Sequence, residues 1–503
     1  KDWAAVRASE GYPEPWVVIW FEFGNETYHG DHRGRQFTPE EYARRYLRYQ
    51  RAMKAVDPRV KLGATVEYVG PWGNGVAKVC GREMDFLITH TYVPGATAEQ
   101  IVNWPPRLVA QACAAADYQI RETYKGLREM VKRVCGRDHV PIAVTEYNGH
   151  FVQENPVPYR QSLAVALRNA DHIRVMLDPA ENILMANFWQ FSNEYWGMVR
   201  GYVHKGERPV KQANFFVYQM YREHFGDVIL RSDVQCETWD FEGGCWLKAR
   251  RGKGQRYQLL PSNLYSGQPW RISATPEVDQ QLEEDGRVVA VTFRGGQFNY
   301  YHASIELPAE PKTGYHVVGC IKTQNLQAQM GAGFQVGDAR GWTETHSATT
   351  FGNVKGTTDG WVRVAGDSTA IQISARRLDI GDTCAGKAWY RIESVQKFLP
   401  DVYPGVPYVK AIATRRAADG AICLMIIHTD LDADTPLTVI PHGATARSAK
   451  AWALTGPSPE ATNLESPDMV GVREIPCDVT ARGVRLTLPK YSVVALEVQP
   501  AGR

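Results

Sequence analysis

Hydrophobic and polar positions divide the 503-residue chain into two textures, one on each side of about residue 215. In the first, short apolar runs predict strands over 16–23, 60–68, 84–92, 140–146 and 182–191. Helical patterns lie between them. Thr38-Pro39-Glu40-Glu41 is a helix start, with Thr38 as cap, Pro39 at the first helical position and Glu41 closing a capping box. Tyr42, Tyr46, Tyr49, Met53 and Val56 then recur at spacings of four and three, which predicts one apolar face ended by Asp57-Pro58. Further helices are predicted over 112–135, ended by Gly136, and over 159–177. Strands alternating with helices indicate a parallel α/β sheet. Beyond a short helix near 215–225 the pattern turns to period two, as in Trp361-Val362-Arg363-Val364 and Ile371-Gln372-Ile373-Ser374, and Gly-rich turns punctuate 250–400. This half is expected to be all-β, most simply β-sandwiches.

Length predicts two or three domains, because a single core does not grow this large. A formal net charge of +2 without a basic block argues against a nucleic-acid partner. No apolar stretch approaches the roughly 18–20 residues of a membrane span, so no membrane partner is expected. Lys1-Asp2-Trp3-Ala4-Ala5 has neither an initiator Met nor the order of a signal peptide, so the true N-terminus and its targeting information are expected to lie elsewhere. The nine cysteines lack metal-ligand spacing. Cys236 with Cys245, or Cys320 with Cys384, are candidate bridges, and isolated buried thiols are the alternative. The one Asn-x-Ser/Thr sequon is Asn25-Glu26-Thr27, where a glycan would block the chemistry read below; this favours a bacterial-type origin, or burial of the sequon, and a secreted or periplasmic location is expected.

That chemistry rests on two glutamates at the ends of strand-like runs. Glu26 closes Trp16 to Glu26, and Glu146 closes Val140 to Glu146. Acetal hydrolysis needs one carboxylic acid to protonate the leaving oxygen and one carboxylate across the sugar; in retaining enzymes the two lie about 5–5.5 Å apart. A β/α barrel brings the C-terminal ends of different strands onto one face.

The stretch Ala8-Ser9-Glu10-Gly11-Tyr12-Pro13-Glu14-Pro15, leading to Phe23-Gly24-Asn25-Glu26, resembles the glycoside hydrolase family 51 α-L-arabinofuranosidases. In that family a Gly-Asn-Glu ends strand four and a Glu in a Thr-Glu-Tyr type motif ends strand seven. The resemblance therefore implies Glu26 as acid/base, Asn25 as partner of the sugar 2-hydroxyl, and Glu146 as nucleophile. His90-Thr91-Tyr92 looks like the strand-six His-x-Tyr that lines the site, which implies that His90 and Tyr92 neighbour the nucleophile and orient it, and Trp189 and Gln190 look like sugar contacts at strand eight. The likeness continues in Val217-Tyr218-Gln219-Met220-Tyr221-Arg222, in Leu454-Thr455-Gly456 with Asn463, and in Leu488-Pro489-Lys490-Tyr491.

The implied fold is α/β plus all-β: a (β/α)8 barrel lacking its first three strands in this chain, then a C-terminal β-sandwich carrying an inserted β-sandwich. The expected domains are 1–215 for the barrel, 216–244 with 401–503 for the C-terminal sandwich, and 245–400 for the insertion. A separate N-terminal polypeptide is expected to complete the barrel. The insertion, through segments such as Gly386-Lys387-Ala388-Trp389-Tyr390, resembles carbohydrate-binding modules, with Trp270, Tyr300, Tyr301, Trp342 and Trp361 as candidate sugar-stacking residues and core packing as the alternative for each. Arg391, where such modules often carry an Asp, departs from the pattern.

The activity implied is a retaining glycosidase that removes α-L-arabinofuranosyl groups from plant cell-wall polysaccharides, without metal or cofactor and with a homo-oligomer as one assembly. The alternatives are a clan-related β-xylosidase or endo-β-glucanase, and a non-catalytic carbohydrate-binding protein built on a degenerate barrel.

Overall fold

A computed structural model describes residues 2–501 apart from 30–36, 97–104, 152–153, 156, 202–205, 207, 242–258, 273–277, 295–300, 308–313, 329–330, 338–348, 369–371, 378–384 and 399–402. Internal contacts divide the chain into two units. One comprises 1–90, 123–145 and 182–186, the other 91–122, 146–181 and 187–503.

Five strands hydrogen-bond in chain order, β1 (Trp20–Phe23), β2 (Lys61–Thr65), β3 (Phe86–Ala96), β4 (Ile142–Phe151) and β5 (Ile183–Phe188), and the first unit holds β1, β2 and the leading parts of the other three. β1 pairs in parallel with β2, Phe21 opposite Leu62, and β2 with β3, Ala64 opposite Leu87. The five strands are those expected from the apolar runs, with shifted ends. β1 starts at Trp20 instead of residue 16, and Trp16, Val17 and Val18 before it are more than 60% exposed on the terminal strand side. The core packs through Phe86, Ile88 and Ala143. Gly63 is required there: a Cβ on it would stand 2.2 Å from the Phe86 ring.

After a short helix α1 (Trp3–Ser9), helix α2 (Pro39–Val56) has the expected cap, with Thr38 Oγ1 accepting from the Glu41 amide and Glu41 accepting from the Thr38 amide. Its apolar face is narrower than expected. Tyr42 and Tyr46 are buried, but Tyr49 is half exposed and Val56 points to solvent. The buried tyrosines work as polar struts: Tyr46 donates to the Leu62 carbonyl, while Tyr42 donates to the Phe23 carbonyl and accepts from the Thr65 amide at 2.7 Å. They tie the ends of β1 and β2 together. Helix α3 (Pro71–Cys80) escaped the pattern reading because Gly70, Pro71, Gly73 and Gly75 imitate a turn, yet Trp72, Val76 and Cys80 make a buried i, i+4, i+8 stripe.

The helix expected over 112–135 is two helices, Pro106–Ala114 in the second unit and Ala116–Cys135, whose larger part belongs to the first. The join falls within an alanine run that has no Gly or Pro to mark it. The expected helix over 159–177 is a 3₁₀ turn, Tyr159–Gln161, followed by Leu163–Met176 with Ser162 as cap. Helices Pro106–Ala114, Leu163–Met176 and Ala213–Glu223 share a core with Met425 and Ile427 of strand Ile422–His428. The alternate residues Leu424 and Ile426 pack with Leu486 and Val494 in a separate core, so one strand serves two layers through its period of two.

Strand Thr238–Phe241 pairs antiparallel with Tyr403–Pro407, Phe241 opposite Tyr403. Between them lie a six-stranded and a five-stranded sheet with a common core that includes Val291, Tyr315, Phe334 and Tyr390. Trp270 belongs to that core at 2% exposure, which corrects the expectation that it stacks on sugar. Tyr300, Trp342, Cys245 and Cys384 lie outside the described residues, as does the Tyr301 side chain. Trp361 is half-buried beneath the Arg391 guanidinium, 4.5 Å from its ring centre.

Candidate active site

Past Phe23 the chain turns at Gly24, where φ is +80° and a Cβ would meet Thr27 Oγ1 at 2.5 Å, so glycine is needed. Glu26 follows with φ +44°, a conformation uncommon for a residue with a side chain. Its Oε1 lies 3.0 Å from Nδ1 of His90 on β3. Asn25 is exposed beside it.

A third acid enters this unit that sequence reading missed. Glu67 follows β2 with φ +63° and is 3% exposed. Its Oε2 accepts the His90 backbone N–H at 2.9 Å, its Oε1 is 3.7 Å from His90 Nδ1, and its carbonyl accepts from Thr89 Oγ1 at 2.6 Å. Burial pushes the Glu67 carboxyl up to about 8, against the opposing pull of His90. The sequence had placed Glu67 inside the strand expected over 60–68, where nothing sets it apart from an ordinary strand-end acid.

In the second unit Tyr92, on β3, donates its hydroxyl to Glu146 Oε2 at 2.6 Å. Tyr92 also faces the His150 ring at 5.7 Å and the Trp196 ring at 6.1 Å, and His150 and Trp196 are parallel, 4° apart. Neither His150 nor Trp196 was anticipated: His150 lies on β4 beyond the end expected for that strand, and Trp196, in a turn, carries no periodic signal. Asn148, fully buried, donates to the Trp189 carbonyl at 3.0 Å and accepts from Asn169, which also donates to Asn214. This polar chain fixes the end of β5, leaving Trp189 36% exposed and Gln190 half-buried.

Each unit thus presents one expected glutamate with a partner: Glu146 with Tyr92, as the resemblance implies, and Glu26 with His90, which the resemblance had set beside Glu146 instead. A carboxyl group against an imidazole is equipped to hold and move a proton, and a carboxylate accepting from a phenol is oriented with its charge retained.

A parallel sheet with carboxyl groups at its strand ends, followed by a β-rich C-terminal region, has the make-up of a partial (β/α) barrel glycoside hydrolase. The family model described as the α-L-arabinofuranosidase C-terminal domain matches residues 145–492, and that of the α-L-arabinofuranosidase 1 domain matches residues 1–102. The chain belongs to the α-L-arabinofuranosidase family.

Its structure is similar to that of the thermostable GH51 α-L-arabinofuranosidase from Thermotoga petrophila RKU-1, at 15% identity and TM-score 0.54, covering 99% of this chain and 70% of that one. It is also similar to the GH51 arabinofuranosidase from Xanthomonas axonopodis pv. citri, at 14% and 0.52, and to the family 51 α-L-arabinofuranosidase AbfB from Bifidobacterium longum, at 13% and 0.53, each with the same coverage. At these identities the likeness is one of fold. No curated protein matches the chain.

Proposed function

We propose that this protein is a retaining α-L-arabinofuranosidase acting on arabinosyl groups of plant cell-wall polysaccharides, with Glu26 as acid/base and Glu146 as nucleophile. The observation that carries the reading is the division of labour on β3. His90 and Tyr92 are two residues apart on β3, and one holds Glu26 while the other holds Glu146. In this reading Glu146 attacks the anomeric carbon as Glu26 gives its proton to the departing oxygen. Water then enters, Glu26 takes its proton, and the Glu146 ester is released. Asn25, Trp189 and Gln190 are assigned to sugar contacts.

The same reading extends to the rest of the chain. Residues 1–215 are assigned to the barrel, 216–244 with 401–503 to a C-terminal sandwich, and 245–400 to an inserted sandwich of carbohydrate-binding-module type. The exposed apolar approach to β1 supports completion of the barrel by further N-terminal strands.

The test is Glu146→Ala on 4-nitrophenyl α-L-arabinofuranoside, using the protein together with any N-terminal segment it possesses. Turnover is expected to vanish while the fold persists, and external azide to restore part of it. An active Glu146→Ala variant would sink the assignment.

A further inference from the structure

The buried Glu67 carboxyl has no place in the two-glutamate reaction, yet the fold places it directly behind the group that contacts Glu26. Burying a carboxyl is costly unless it is neutral or well paired, and Glu67 occupies a left-handed backbone position as well. Both ends of the residue are clamped to β3. Its amide donates to the Ile88 carbonyl at 2.9 Å, its carbonyl accepts from Thr89, and its side chain accepts from the His90 amide. One imidazole nitrogen, His90 Nδ1, therefore faces two carboxyl groups, Glu26 at 3.0 Å and Glu67 at 3.7 Å.

We propose that Glu67 is a positioning residue for the proton-transfer step: as a neutral carboxylic acid it fixes His90, and so leaves the Nδ1 of His90 to orient Glu26 alone. This rests on the reading of Glu26 as acid/base. The groups that bear on the Glu67 carboxyl are His90, Glu26 and Glu22, together with the neighbouring Tyr68. Were Glu67 ionised, its charge would compete with Glu26 for His90. The burial that raises it to about 8 keeps it neutral through the neutral range. Glu67 itself gives up no proton to the substrate.

The experiment uses the protein with any N-terminal segment it possesses and two substrates that differ in their need for acid assistance. 2,4-Dinitrophenyl α-L-arabinofuranoside carries a leaving group that departs unprotonated; the methyl glycoside does not. General acid assistance contributes about 10²–10⁴-fold. Glu67→Ala, which removes the support and not the acid, is expected to lower kcat/KM on the methyl glycoside about 10- to 100-fold and to change the dinitrophenyl substrate less than about 3-fold. Glu67→Gln, an isosteric mimic of the neutral acid, is expected to stay within about 3-fold of wild type on both.

Equal losses on both substrates, no loss on either, or a Glu67→Gln variant as poor as Glu67→Ala would overturn the proposal. Glu67→Met, which keeps the volume, replaces Glu67→Ala if the latter does not fold. Glu26→Ala is run alongside. If it shows no dependence on the leaving group, the acid/base reading itself fails, whatever Glu67 does.

Discussion

Replacing Lys410 by Met removes an ammonium group from the interior while keeping nearly the same length of side chain. Lys410 is 4% exposed, and its Nζ donates to the Ala114 carbonyl at 2.8 Å, to Asp117 Oδ1 at 2.7 Å and to Asp171 Oδ2 at 2.8 Å. Without it, two buried carboxylates share Arg174 alone, which holds Asp171 at 2.6 Å and Asp117 at 3.2 Å. Breaking a buried pair costs about 3–5 kcal/mol. Since Arg174 remains, the expected loss at neutral pH is about 2–4 kcal/mol.

The loss carries a pH signature. Burial alone would raise the Asp171 carboxyl, but Arg174 and Lys410 outweigh it and hold it below the ordinary range. A carboxyl depressed in the folded state contributes stability above its unfolded value near 3.9, and that contribution is lost as pH falls through the folded value. In Lys410→Met the Asp171 carboxyl rises, so the deficit relative to wild type is full at pH 7 and shrinks as the pH drops toward about 4. Urea unfolding of both proteins at the two pH values measures this. A loss below about 1 kcal/mol at pH 7, or one that stays constant on acidification, would refute the reasoning.

Tyr92→Phe removes the hydroxyl that donates to Glu146 and should reduce kcat/KM on aryl arabinofuranosides about 10-fold or more with little change in melting temperature; wild-type kinetics would show that the contact does not orient the carboxylate. Gly24→Ala sets a Cβ against Thr27 Oγ1 in a left-handed turn and should cost about 1–3 kcal/mol of stability. Adding Thr27→Ala to Gly24→Ala should recover the steric part of that loss, and a double variant no better than the single would assign the whole cost to the backbone.

Elements that announce themselves by period or by a local stop signal were legible in the sequence. The capping box at Thr38 and the five parallel strands are of this kind, because each is a contest settled among neighbours in the chain. The pairing of Tyr92 with Glu146 came through a family resemblance, which set His90 beside Glu146 as well; the contact of His90 with Glu26 was not foreseen, since no spacing rule joins residues 64 positions apart. Helix α3 was hidden because its glycines serve close packing, as at Gly73, where a Cβ would stand 2.2 Å from the Tyr68 carbonyl. Glu67 was hidden for a different reason: a glutamate after a strand is ordinary in sequence, and only tertiary burial makes it unusual. The Lys410 network was illegible too, as its members are held together by contacts between elements nearly 300 residues apart.

The pairing of Thr238–Phe241 with Tyr403–Pro407 makes the chain leave and re-enter its C-terminal region at adjoining points, Phe241 opposite Tyr403. Topologically, residues 242–402 occupy the place of a hairpin turn. A graft that joins the two strands through a few turn-forming residues would therefore need no rerouting of the remaining backbone, because antiparallel neighbours close with loops of about two to five residues. The segment is in this sense a cassette, one that can be gained, lost or exchanged in evolution or in the laboratory while the strands on which it is mounted keep their register.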